Sequence, residues 1–396
     1  MHRLVAYSAG GSERAAGIAL TWQVLVACAS PNSSAERLND ARCAKLDWPV
    51  LFAQAEEHSV LPLLATRLQE LAPGASPPEI QTRLQSWQRA HAVFTLTLSA
   101  ELFQILDRFA ALDIEVLITK GPALSVRCYG DPGMRQYGDL DLIVRAKDIE
   151  RATKAMIELG FELKISLHTI QANKIPGEYV FTRRDKKLLI EFHTERTFCY
   201  HPRTLDIERL FKRRASVTID GREVPALSLE DELVLICVHG AKHFWERLMW
   251  IADVAALISS RPGPDFDRTI AVAREVGAER ILRLGLRLAM DVLGAKLPAS
   301  LEASVRSDRA VAKLAAQIQS RLPSREPRGM GVLQRAAFRV RMRGGLLSGA
   351  AYLLRLSLSP TEEDWTPGKE GNRPALIDAI SRPFRLAKKH SRRSSE

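Results

Sequence analysis

The sequence predicts an α+β fold in which a small mixed β-sheet is flanked by N- and C-terminal helical layers. Apolar residues recur at helical spacing up to about Gln104, the period shortens to that of strands between Ile114 and Thr194, and helical spacing returns from Ser228. With 46% hydrophobic and 26% charged residues over 396 positions, the chain has ordinary globular composition, which excludes a disordered or fibrous architecture. Its length calls for two or three packed units. The expected division is a helical region over 1–104, a catalytic core over 105–200, a second helical region over 201–334 and a basic tail over 335–396, partly disordered.

From Ala15 to Gln104 the helical pattern includes Leu51, Ala55, His58, Leu61 and Leu64, and Pro77-Pro78 interrupts it. The residues Ile114 to Thr119 then read as a strand, and Lys120-Gly121-Pro122 turns that strand into a helix with proline in its first turn. A second strand spans Gly138 to Val144. A helix over Asp148 to Leu159 closes on Gly160, a natural C-cap, and further strands are expected at Phe161 to Ile165, Tyr179 to Arg183 and Leu188 to Thr194. The charged run Arg184-Asp185-Lys186-Lys187 reads as the turn between the last two. Helices follow over Ser228 to Ser259 and Asp267 to Leu293, and the tail carries an amphipathic stretch at Ala350 to Leu358. There is no internal repeat.

The apolar stretch Ala15 to Ala29 contains Thr21 and Gln23 and is too short and polar to span a bilayer; without a signal-like N-terminus, the expected location is cytoplasmic. Five scattered cysteines, Cys28, Cys43, Cys128, Cys199 and Cys237, form no CxxC pair and read as free thiols rather than a disulfide framework or zinc site. The net charge of +11 favours an anionic partner. From Pro323 onward there are 15 Lys/Arg against 7 Asp/Glu, so most of that excess belongs to the tail. Its run Lys388 to Arg393 reads either as a contact for nucleic acid or an anionic membrane, or as a solvated end.

The chemistry centres on Gly138-Asp139-Leu140-Asp141-Leu142-Ile143-Val144. Two carboxylates at i and i+2 of a strand share a face, and their repulsion is relieved by a divalent cation, Mg²⁺ or Mn²⁺. A DxD triplet arises by chance about once in a chain of this size, so context must discriminate. The other one, Asp265-Phe266-Asp267, follows Pro262-Gly263-Pro264 and precedes a helix, where Asp265 serves as an N-cap. Glu191, breaking the apolar strand Leu189 to His193, is the candidate third acid of a two-metal site; the competing reading is an edge-strand acid paired with Arg183 or Lys187. His193 shares its face.

Lys120 and Gly121 place a cation and free backbone N–H groups where a polyphosphate would bind, with Gly138 close by at the acidic strand. Arg135 reads either as a cation for the leaving group or as a surface residue. His239 and His243 are neighbours on one helical face, with Lys242 between them. Since Gly240-Ala241-Lys242 separates the two histidines, the HExxH metalloprotease motif is absent; they line a substrate cleft or are buried and hydrogen-bonded.

At these residues the chain resembles the bacterial uncharacterised nucleotidyltransferase family, within the superfamily sharing the catalytic fold of DNA polymerase beta. The resemblance lies in Leu117-Ile118-Thr119-Lys120-Gly121, Met134-Arg135-Gln136-Tyr137-Gly138-Asp139-Leu140-Asp141-Leu142 and Glu191-Phe192-His193. It continues in Leu229-Glu230-Asp231-Glu232-Leu233 and in His239 to Trp245, and covers roughly Asp47 to Pro360. It implies metal-dependent transfer of a nucleoside monophosphate from a nucleoside triphosphate to an acceptor hydroxyl on a small molecule, sugar, peptide or protein. Asp139 and Asp141 would hold the metals, with Glu191 as third acid. One departure stands out: the superfamily's usual Gly-Ser before the first catalytic helix is replaced by Lys120-Gly121. The alternative function is an inactive nucleotide-binding or toxin-antitoxin protein, against which the presence of all three acids argues.

Overall fold

The computed structural model describes residues 11–32, 38, 46–164, 166–168, 178–183, 185, 187–194, 203, 205–323, 330–343, 349 and 352. Cys43, Cys199, most of the tail and its Lys388 to Arg393 run lie outside the described residues, as does all of the Ala350 to Leu358 stretch except Tyr352.

Among the described residues four helices come first: α1 (Gly11–Ala29), α2 (Trp48–Glu57), α3 (Leu61–Leu71) and the 34-residue α4 (Pro78–Ala111). Pro78 occupies the first turn of α4, where the missing N–H has no helical partner to lose. Strand β1 (Val116–Thr119) leads into α5 (Gly121–Tyr129), and β2 (Leu140–Val144) leads into α6 (Ile149–Glu158), which Gly160 follows at φ +85°. Strands β3 (Glu162–Leu163), β4 (Glu178–Arg183) and β5 (Leu188–His193) complete the stretch expected to be a sheet; Ile165, the end of the expected third strand, lies outside the described residues. The short α7 (Ile207–Lys212) precedes a hairpin of β6 (Ala215–Ile219) and β7 (Arg222–Ala226), which lies within the stretch expected to be helical. Helices α8 (Leu229–Lys242), α9 (Leu248–Ser259), α10 (Phe266–Glu275), α11 (Glu279–Leu293), α12 (Ala299–Ser307), α13 (Arg309–Gln319) and α14 (Val332–Met342) follow. Asp265 caps α10 by accepting from the Arg268 N–H, as its turn context implied.

The hairpin had a readable signal. Asp220-Gly221 takes up φ +49° and +80°, the two-residue turn that Asp-Gly favours, between the inward-facing pairs Val217/Ile219 and Val224/Ala226. It docks parallel to β1, giving a seven-stranded mixed sheet in the order β3-β4-β5-β2-β1-β7-β6.

The two faces of the sheet bury different neighbours. Ile118, Leu140, Leu142, Ile190 and Phe192 pack against Leu102, Ile105 and Phe109 of α4 and Ala152 and Met156 of α6. Phe192 meets Phe109 edge-on and Phe181 at 4.6 Å, and removing such a buried ring costs about 3–5 kcal/mol. Leu117 and Ile143 point the other way and join a core shared with α8, α9 and α11. Helices α1–α3 enter that same core, so the expected N- and C-terminal layers merge on one side of the sheet. The second half of α4 covers the other side, and the expected boundary near residue 104 falls inside this helix.

Candidate active site

Strand β1 ends in a turn whose backbone is costly for a side chain. Lys120 sits at φ +56°, ψ −144° and Gly121 at φ +47°; for a non-glycine residue such a conformation costs about 1–3 kcal/mol and persists only where the surroundings hold it. Glu232 of α8, fully buried, accepts from the Lys120 N–H at 3.2 Å and from Arg127 at 2.6 Å. Gly121 lies against the next loop: a Cβ there would come 3.6 Å from the Asp139 carbonyl oxygen. Sequence reasoning assigned Glu232 no role, because an acid in the first turn of a helix ordinarily serves the helix dipole.

The acids meet through strand register. Strand β2 lies inside the sheet with all five residues buried, and Asp141 pairs with Thr119 of β1 on one side and Glu191 of β5 on the other. Directly paired residues share a face, and His193 lies two residues beyond Glu191 on the same face. Carboxylate oxygens of Asp141 and Glu191 and a ring nitrogen of His193 come within 4.8 Å of one another. His193 Nε2 stands 2.6 Å from Asp141 Oδ1, Lys120 Nζ lies 3.0 Å from the same oxygen, and Glu191 Oε2 is 3.8 Å from His193 Nε2. Strand β5 runs between β4 and β2, so Glu191 is not an edge-strand acid; Arg183 forms ion pairs with Glu101 and Asp185.

Burial alone would push the Asp141 carboxyl up, but the Lys120 ammonium and the His193 hydrogen bond outweigh it and hold Asp141 well below the usual carboxylate range. An ionised carboxylate only accepts hydrogen bonds, so the His193 Nε2 facing it carries the proton. Asp139 is shifted upward, first by burial and then by the charge of Asp141, against the pull of Lys120, Arg135 and His193. The two aspartates therefore sense one another, although Asp139 occupies the bend before β2 rather than the strand. Alternation thus accounts for the direction of Asp141 alone. Gly138, in the same bend, is exposed.

Arg135 is buried, and its Nε bonds Asp253 of α9 at 3.0 Å, which excludes a surface arginine. His91 Nε2 stands 3.1 Å from its carbonyl oxygen. Arg135 thereby ties the loop before the acids to α4 and α9. His239 and Lys242 on α8, and His243 at its C-cap, are half-buried. The His239 ring lies 4.7 Å from that of His243, which stacks on Trp250 at 5.1 Å. Burial lowers both imidazoles, helped by Lys120 in each case, and brings His243 down to about 4. Asp141 acts on His239 in the opposite sense, so this face of α8 lies within electrostatic reach of the acids.

The protein is thus an α+β fold in which a strained strand-to-helix turn carrying Lys120 lies beside the Asp141 and Glu191 carboxylates of a mixed sheet. The family model described as "Uncharacterised nucleotidyltransferase" matches residues 44–294, and the chain belongs to this family of nucleotidyltransferases. Among solved structures, an antigenic nucleotidyltransferase-like protein from Paracoccidioides brasiliensis is similar at 17% identity. That match covers 53% of this chain and 94% of the other, with a TM-score of 0.32. No curated protein matches the sequence.

Proposed function

We propose that the protein transfers a nucleoside monophosphate from a nucleoside triphosphate to an acceptor hydroxyl, with Asp139, Asp141 and Glu191 holding Mg²⁺ or Mn²⁺. The observation that carries this reading is the convergence of Asp141, Glu191 and His193 within 4.8 Å on the sheet face beside the Lys120 turn. The donor set fits a hard cation: it is rich in carboxylate oxygen, and the one imidazole nitrogen near Asp141 is committed to that carboxylate as a donor. Asp139 is shifted upward first by burial and then by the charge of Asp141, and a divalent cation between the two carboxylates would relieve both. A bound cation would neutralise the triphosphate and polarise the reacting phosphorus centre.

The chain's own groups have distinct tasks. His193 orients Asp141. Lys120 leaves that carboxylate for the phosphate oxygens, which the Lys120-Gly121 backbone also meets, and Gly138 leaves room beside them. Glu191 takes the proton of the attacking hydroxyl. Arg135 contributes positive charge from behind the loop while Asp253 holds it in place. The α8 face of His239, Lys242 and His243 forms the acceptor side of the cleft, its imidazoles neutral at pH 7. The polymerase-beta superfamily and a bacterial setting in the cytoplasm complete this proposal, supported by the motif around Asp139.

Purified protein incubated with Mg²⁺ or Mn²⁺ and each labelled nucleoside triphosphate should release pyrophosphate or label an acceptor. Asp139→Ala and Asp141→Ala should each lower that rate by at least about 10²–10³-fold. Wild-type protein that binds no nucleotide in the presence of either cation would sink the proposal.

A further inference from the structure

Thr119 is the last residue of β1 and the direct register partner of Asp141. Paired residues in an antiparallel ladder project to the same face, with Cβ atoms about 4.5–5.5 Å apart. One row across the sheet thus runs Thr119, Asp141, Glu191. Thr119 is 2% exposed, and its Oγ1 has no hydrogen-bond partner among the described residues. The rest of β1 is Val116, Leu117 and Ile118, all buried, so valine at 119 would satisfy the strand equally well and bury no hydroxyl. Nearby hydroxyls are used: Ser125 Oγ donates to the Asp131 carbonyl at 2.7 Å, and Ser228 Oγ bonds the Asp231 carboxylate at 2.6 Å.

A buried hydroxyl without a partner destabilises the free protein. Its position suits a ligand: it stands beside the carboxylate that already holds Lys120 and His193, one residue before the strained turn. We infer that Thr119 Oγ1 belongs to the cation site, where it supplies a further oxygen to a divalent cation held by Asp141 and Glu191, directly or through a water of the cation's shell. This assigns a hydroxyl to a site whose Lys120-Gly121 turn has none. The inference rests on the cation reading under Proposed function.

The experiment compares full-length wild-type protein with Thr119→Val, Thr119→Ser and Asp141→Asn, titrated with Mn²⁺ alone and followed by the electron paramagnetic resonance signal of free Mn²⁺. Thr119→Val should bind Mn²⁺ about tenfold more weakly, and Thr119→Ser within about threefold of wild type. In metal-free buffer with chelator, Thr119→Val should melt no lower than wild type, and up to about 1–2 °C higher, because the unpartnered hydroxyl is gone. Equal Mn²⁺ affinity of wild type and Thr119→Val overturns the inference and leaves the cation reading standing. A lower melting temperature of Thr119→Val in chelator also overturns it, since the hydroxyl would then serve the fold. Wild type that takes up no more Mn²⁺ than Asp141→Asn removes the cation reading, and this inference with it.

Discussion

At Lys120 two requirements of opposite sign meet in one residue. The ammonium neutralises Asp141 at 3.0 Å, while the backbone sits at φ +56°, ψ −144°, a region that suits glycine. The two can be separated by comparing Lys120→Ala with Lys120→Gly, since both lose the ammonium and only glycine relieves the backbone. Lys120→Gly should unfold about 1–3 kcal/mol later than Lys120→Ala in urea; equal stabilities would mean that the turn relaxes to another conformation when the ammonium is lost. His193 shows the same economy of placement, its proton on Nε2 directing Asp141 from the neighbouring strand.

Among the elements, α8 connects the Lys120-Gly121 turn to the helical core. Its first turn sends Glu232 to the Lys120 N–H, its last turn carries His239, and His243 is its C-cap. The placement of that last turn depends on Trp245, which is fully buried between α8 and α11. A Cβ at Gly240 would come 2.7 Å from the Trp245 ring, and one at Gly285 would come 2.5 Å from Cys237 Sγ and 3.1 Å from the Trp245 ring. In an open helix Gly→Ala stabilises by up to about 1 kcal/mol. Here Gly240→Ala should instead cost about 1–3 kcal/mol in thermal or urea unfolding, because the added methyl would overlap the fully buried indole and force it to shift. A neutral or stabilising result would show that Trp245 repacks freely.

Across the whole molecule, His58 joins the N-terminal helices to α9. Its Nδ1 accepts from the Leu248 N–H at 3.2 Å, its carbonyl accepts from the Met249 N–H, and its ring lies 5.1 Å from Trp22. Burial lowers its pKa from 6.5 to about 4, outweighing a backbone hydrogen bond with Leu322. The unfolded chain therefore binds a proton more readily than the folded one between pH 6.5 and about 4. The stability from neutral His58 is present above pH 6.5 and is lost as pH falls through that window. Relative to His58→Gln, wild type should lose roughly 3 kcal/mol of unfolding free energy between pH 7 and pH 4. Parallel pH curves for the two proteins would show that His58 titrates normally.

Much of the site was legible in the chain because it is written in short-range rules. Alternation pointed to Asp139 and Asp141 and holds for Asp141 alone, the apolar frame made Glu191 a candidate, the Lys120-Gly121-Pro122 turn announced a strand passing into a helix, and proline and glycine context identified Asp265 as a cap. The β6–β7 hairpin is equally local in its Asp220-Gly221 turn, but the helical patterns on either side obscure it. Tertiary structure alone decided the long-range pairings: His193 with Asp141 across 52 positions, Glu232 with the Lys120 N–H across 112, and the Thr119–Asp141 register. It also placed Asp139 in the bend before the strand, turned Arg135 toward Asp253, and joined the two helical layers into one core on the acids' side of the sheet. Spacing along a chain determines periodicity and capping because those depend on near neighbours. Which faces meet, and which buried groups find partners, depends on the packing of residues far apart in sequence.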